Sequence, residues 1–201
     1  MTEVDYDAEA QPQRDGKDAL EWALIARIGQ GDHAAFSELY KAYFQYLFRF
    51  IFKTTRRLDL VEDVINEVMM AVWQQAAQAV PRSRASTWIL GIAHYKALQS
   101  AAKAGVVRSV NEEIDAPENE VQGAPDSSLE ANQLFARALK HLPPEQCAVL
   151  ELVYHHELHY SEIAVILAVP ENTVKTRVFH ARRKLRELWP SLIGHPQAEL
   201  N

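Results

Sequence analysis

Apolar residues recur along this chain at intervals of three and four. The clearest run is Val61, Val64, Ile65, Val68, Met69, Val72 and Trp73, which lies on one face of a helix and leaves Glu62, Asp63, Asn66 and Glu67 on the other. An earlier stretch has the same period through Ile25, Ile28, Phe36, Leu39, Tyr40, Tyr43, Phe44, Leu47, Phe50 and Ile51, with a break at Gly29–Gly31. It predicts two helices that pack together. Pro81 closes the Val61 helix, and Ser83 or Ser86 is placed to cap a third helix bearing Trp88, Ile89, Ile92, Ala93 and Ala97. No alternating run of β-branched residues meets a hairpin turn, so the expected fold class is all-α.

Beyond residue 128 the pattern predicts four short helices, at 129–141, 145–155, 161–167 and 173–188. Pro143 and Pro144 separate the first two, and Ser161 is the expected cap of the third. Val169, Pro170, Glu171 and Asn172 then form a tight connection into the fourth, the spacing of a helix-turn-helix. That last helix, capped by Asn172 or Thr173, puts Val174, Val178, Ala181, Leu185 and Leu188 on one face. Lys175, Arg177, Arg182, Arg183, Lys184 and Arg186 occupy much of the rest. Such a helix can bury one side and offer its cations to phosphate while its N-terminal half enters the major groove.

Charge changes the picture only when read by segment. The whole chain carries a formal net charge of −6, which alone argues against nucleic acid, but phosphates meet the local field. Residues 22–107 are mildly basic, whereas 108–130 are acidic and rich in Pro, Ser and Asn, too polar to build a core. The expected organisation is a disordered acidic N-terminus at 1–19, a helical domain at 20–104, a flexible acidic linker at 105–128, a second helical domain at 129–190 and a tail at 191–201. The acidic start is unlike a secretory leader and no apolar run suits a bilayer span, so a cytoplasmic protein without membrane insertion is expected. The lone Cys147 excludes an internal disulfide and, among apolar neighbours, reads as a buried thiol.

Three stretches in order resemble the extracytoplasmic-function (ECF) group of the sigma-70 family. DLVEDVINEVMMAVW, from Asp59 to Trp73, resembles the region 2 helix that grips the polymerase clamp. STWILGIAHYKAL, from Ser86 to Leu98, resembles the promoter-melting and minus-10 segment. ALKHLPPEQCAVLELVYHHELHYSEIAVILAVPENTVKTRVFHARRKLREL resembles region 4. The resemblance implies an alternative sigma factor that binds core RNA polymerase at its clamp coiled coil and flap, directs promoter-specific initiation, and is controlled by an anti-sigma factor.

By the same resemblance, Glu62, Asp63, Asn66 and Glu67 dock on polymerase, with Asn66 standing where many members have glutamine. Arg82, Ser83, Arg84, Trp88, Tyr95 and Lys96 fall in the minus-10 segment, although the spacing of Trp88 suits a core position better than a stacking one. Tyr95 replaces a common asparagine. Lys175, Thr176, Phe179 and His180 match the positions that face the minus-35 element, with Arg177 and Arg182 suited to backbone and Arg183 in the same minus-35 set, and His180 replaces a common arginine. No catalytic residue, cofactor or metal is implied. Two other classes compete: a stand-alone helix-turn-helix regulator, which explains only the C-terminal half, and a metal-dependent enzyme built on His155, His156 and His159, whose HHELH lacks the HExxH spacing.

Overall fold

The computed structural model describes residues 11–105, 138–139, 141–156 and 158–192. Seven helices span the described residues and no strand occurs among them: α1 (Gln11–Ile28), α2 (His33–Thr55), α3 (Val61–Gln75), α4 (Ala85–Lys103), α5 (Pro144–Tyr154), α6 (Tyr160–Leu167) and α7 (Glu171–Leu192). The expected linker lies almost entirely outside the described residues, as does the helix at 129–141 apart from helical Ala138 and Leu139 and the turn at His141.

The break between α1 and α2 is where the glycines predict it. Gly31 adopts φ 87°, the left-handed region glycine reaches without penalty. A Cβ on Gly29 would come within 2.8 Å of the Ala77 Cα, so only glycine lets the turn approach the end of α3. Asp32 then caps α2, accepting from the N–H groups of Ala34 (2.9 Å) and Ala35 (3.0 Å). Those donors and the Arg27 guanidinium hold its carboxyl below the usual range.

Helices α1–α4 form the first module. Its centre is Leu39, Leu47, Phe50, Ile51, Val61, Ile65, Val68, Val72, Ile89 and Leu90, all fully buried. Each such side chain contributes about 1.5–3 kcal/mol by leaving water.

Four starts differ from expectation. α1 begins at Gln11, well inside the stretch expected to be disordered at 1–19, because Ile25 and Ile28 anchor its later turns against α2. Neither Ser83 nor Ser86 caps α4. Arg84 holds the cap position without a side-chain bond, and the Ala85 N–H is taken instead by Asp18 of α1. α6 starts at Tyr160 behind a His159 cap, not Ser161, because Glu162 reaches back to the His159 N–H at 2.9 Å and completes a capping box. α7 likewise begins two residues before Thr173 and runs to Leu192, into the segment expected as a tail.

The second module does not stand apart. Leu139, Leu142, Cys147, Leu150 and Ala181 make a small cluster of their own. Ala148, Val149, Leu152, Leu158, Ile163, Ile166, Val174 and Val178 instead belong to one apolar cluster continuous with the first module. α5 packs on α2, and α6 packs on α4.

Candidate nucleic-acid interface

The helix-turn-helix is made by α6 and α7. Ala168 turns the chain at φ 51°, the Val169 N–H bonds the Ala164 carbonyl (3.1 Å), and the Thr173 N–H bonds the Pro170 carbonyl (2.8 Å). Val174, Val178 and Ala181 bury one side of α7. On the other, Lys175, Thr176, Phe179, Arg182 and Arg183 are exposed and His180 is half-buried.

Phe179 is 62% exposed, with the Arg183 guanidinium 5.9 Å from its ring centre and His180 edge-on at 5.5 Å. A large aromatic residue held in water among cations suits contact with a base edge or sugar. Arg182 donates to the Tyr154 hydroxyl at 2.9 Å, which fixes its reach along the face. Arg177 is set apart from this group, since it is half-buried and paired with Glu145 at 2.7 Å.

In the first module the predicted minus-10 residues surround the start of α4. Arg82 and Ser83 are exposed on the loop, Tyr95 is 65% exposed further along the helix, and Lys96 lies 3.2 Å from Glu67. That ion pair brings the two predicted sets of the first module side by side. Trp88 is half-buried and stacked on Trp22 at 5.9 Å, a packing position. Arg84 is half-buried and faces Glu162 of α6 at 3.5 Å.

α3 presents Glu62, Asp63, Asn66 and Glu67 to solvent on one face, as its periodicity requires. Asn66 accepts from the Tyr40 hydroxyl at 3.2 Å. Met70 and Leu58 are exposed near this acidic strip, giving it an apolar margin.

Three residues without a signal in the sequence hold the loop ahead of α4. Asp18 accepts from the Ala85 N–H at 2.7 Å, the Trp22 indole donates to the Ser83 carbonyl at 3.2 Å, and Glu162 meets both Arg84 and Thr87. The polar run before Leu20 gave no periodic signal, and Glu162 is visible in sequence only as a capping residue. Of the histidines weighed as metal ligands, His155 ends α5, His156 lies in the turn and His159 caps α6. No group of three or more potential ligands gathers among the described residues. No described helix is long and apolar enough to cross a membrane.

The two modules coincide with two halves of one family. Residues 39–106 match sigma-70 region 2 and residues 132–185 match sigma-70 region 4. The chain is 28% identical over 185 residues to the ECF RNA polymerase sigma factor RpoE of Cereibacter sphaeroides, covering 86% of this chain and 97% of that one. It is 27% identical over 170 residues to ECF sigma factor SigK of Mycobacterium tuberculosis, covering 82% and 90%. Among solved structures, CnrH in complex with the cytosolic domain of CnrY is similar at TM-score 0.60 and 19% identity, over 85% of this chain and 97% of that one. The sigma factor RpoE of Bartonella quintana, in complex with the anti-sigma factor NepR, is similar at TM-score 0.62 and 24% identity, over 77% and 96%. These two agree in fold. The chain belongs to the sigma-70 family, and its relatives along most of its length are sigma factors of the ECF group.

Proposed function

We infer that this protein is an alternative sigma factor that joins core RNA polymerase in the cytoplasm and directs it to promoters with separate minus-35 and minus-10 elements. The observation that carries the reading is the order of region 2 and region 4 in one chain, together with a solvent-facing α7 on which Lys175, Phe179, Arg182 and Arg183 are exposed. In this reading Glu62, Asp63, Asn66 and Glu67 dock on basic groups of the clamp, where a cluster of acceptors is complementary. Lys175, Thr176, Phe179 and His180 read the minus-35 major groove, with Arg182 and Arg183 on its phosphates. Arg82, Ser83, Arg84, Tyr95 and Lys96 take the melted minus-10 strand. The chain performs no bond-breaking step; polymerase does.

An anti-sigma protein covering both modules is the regulator this reading expects, since one structural neighbour, RpoE of Bartonella quintana, was solved with an anti-sigma factor. The direct test is dependence on core enzyme. A labelled promoter fragment should be retained by this protein with core polymerase and not by the protein alone. Tight, symmetric binding to duplex DNA without core would instead make it a stand-alone regulator.

A further inference from the structure

Glu162 performs two jobs with one carboxylate. One oxygen takes the His159 N–H (2.9 Å) and so completes α6. The other crosses to the first module, 3.2 Å from the Thr87 hydroxyl and 3.5 Å from the Arg84 guanidinium. A carboxylate and a strand phosphate offer a guanidinium the same acceptor chemistry. The contact therefore fills the place that the proposed minus-10 strand would need at Arg84.

The far side of the junction is fastened separately. Arg56 ends α2 in the left-handed region, at φ 56°, and from there its guanidinium donates to the Leu139 carbonyl (3.2 Å), the Leu142 carbonyl (3.2 Å) and the Cys147 sulfur (2.8 Å). A non-glycine residue holds that backbone only where surrounding contacts favour it. Between the two fasteners runs the apolar cluster shared by the modules. By contrast, the acidic face of α3 and the reading face of α7 both remain open to solvent.

We propose that the junction is a self-inhibiting latch: in the free chain Glu162 of region 4 occupies Arg84 and Thr87 of region 2 in place of a DNA strand, and Arg56 secures the opposite end. The latch leaves polymerase docking and minus-35 reading accessible and withholds the single-strand site only at Arg84 and Thr87, while Arg82, Ser83 and Tyr95 stay exposed. Across the junction Glu162 is held only by a 3.2 Å hydrogen bond and a 3.5 Å ion pair, both long, which suits release when core polymerase separates the modules. The part played by Arg84 rests on the sigma-factor reading; the closure of the two modules does not.

The test uses the full-length free protein, without polymerase. Small-angle X-ray scattering gives its spread, and fluorescence anisotropy gives its affinity for a labelled single-stranded oligonucleotide of mixed sequence. Glu162→Gln keeps an acceptor for the His159 N–H and removes the charge facing Arg84, so α6 stays capped. It should tighten single-strand binding about three- to tenfold, and Arg56→Met should act in the same direction while widening the scattering profile. Adding Arg84→Gln to Glu162→Gln should abolish the gain. Wild-type affinity and spread in both variants, with unchanged melting temperatures, would overturn the latch. If neither variant folds, the wild-type scattering decides, because an extended free chain is incompatible with it. Run-off transcription separates the two claims: transcripts without any latch phenotype sink the latch alone, and a closed chain that variants open but that yields no transcripts sinks the sigma-factor reading alone.

Discussion

The Asp18 carboxylate accepts the Ala85 N–H at 2.7 Å across 67 positions of sequence. A helix start leaves N–H groups without intrahelical partners, and α4 has one of them satisfied from another helix. The loop ahead of α4 is thereby fixed by α1, with Trp22 bonded to the Ser83 carbonyl and stacked on Trp88. Asp18→Ala should cost about 1 kcal/mol of stability and reduce permanganate reactivity of minus-10 thymines in promoter complexes. Asp18→Asn, which retains an acceptor, should restore that reactivity, and core affinity should hold in both. Equal melting in all three proteins would show that the brace does not position the loop.

Charge reversal on α3 should separate docking from folding. Asp63 and Glu67 are exposed, and the pair that Glu67 makes with Lys96 is a surface pair worth at most about 1 kcal/mol. Asp63→Lys with Glu67→Lys should weaken core polymerase binding at least tenfold, by titration of labelled core, while the melting temperature stays within a few degrees. A large fall in melting temperature would instead assign these residues to the fold.

On α7, two substitutions should differ in kind. Arg182→Ala removes a phosphate contact, so holoenzyme binding should weaken alike on all promoters and the salt dependence should lose about one ion. Phe179→Ala should chiefly change preference at one minus-35 base pair, read from a randomised library. A library profile identical to wild type would place Phe179 outside base recognition.

The junction should also respond to acid. His156 lies among Tyr46 (5.1 Å) and Phe50 (6.5 Å), and its Nε2 is buried without a hydrogen-bond partner among the described residues. Burial chiefly, then His155, Arg49 and Lys17, push its pKa down to about 4. The exposed imidazole takes a proton first, so the contribution is complete above about pH 6.5 and is lost as pH falls from about 6.5 towards 4. The total is at most about 3 kcal/mol. The melting temperature of wild type minus that of His156→Leu should fall across that window. Glu151 and Lys53 titrate in both proteins and drop out of the difference. A flat difference would mean that His156 is not held neutral at the junction.

How much of this was legible follows from the range of each interaction. The stripe from Val61 to Trp73 and the break at Gly29–Gly31 are local, and both appear where periodicity places them. The basic and aromatic side of α7 is local too, as is the acidic side of α3. Asp18 and Ala85 are not, and nothing in the polar run before Leu20 announces that it folds back on a loop in the middle of the chain. The docking of α5 on α2 was hidden for another reason: Ala148, Val149 and Leu152 look the same in sequence whether they face their own module or the other. Arg177 shows the limit within a single helix, where its position among cations predicts a DNA contact and its Glu145 partner turns it inward.

Run-off transcription with purified bacterial core polymerase tests the central claim most directly. Core alone, and core with this protein, are given a pool of promoter fragments that includes the region upstream of the gene encoding this chain. Discrete transcripts that appear only with the protein, and that vanish with Asp63→Lys and Glu67→Lys together, are the predicted result. An unchanged transcript pattern, beside tight duplex binding by the protein alone, would contradict the account.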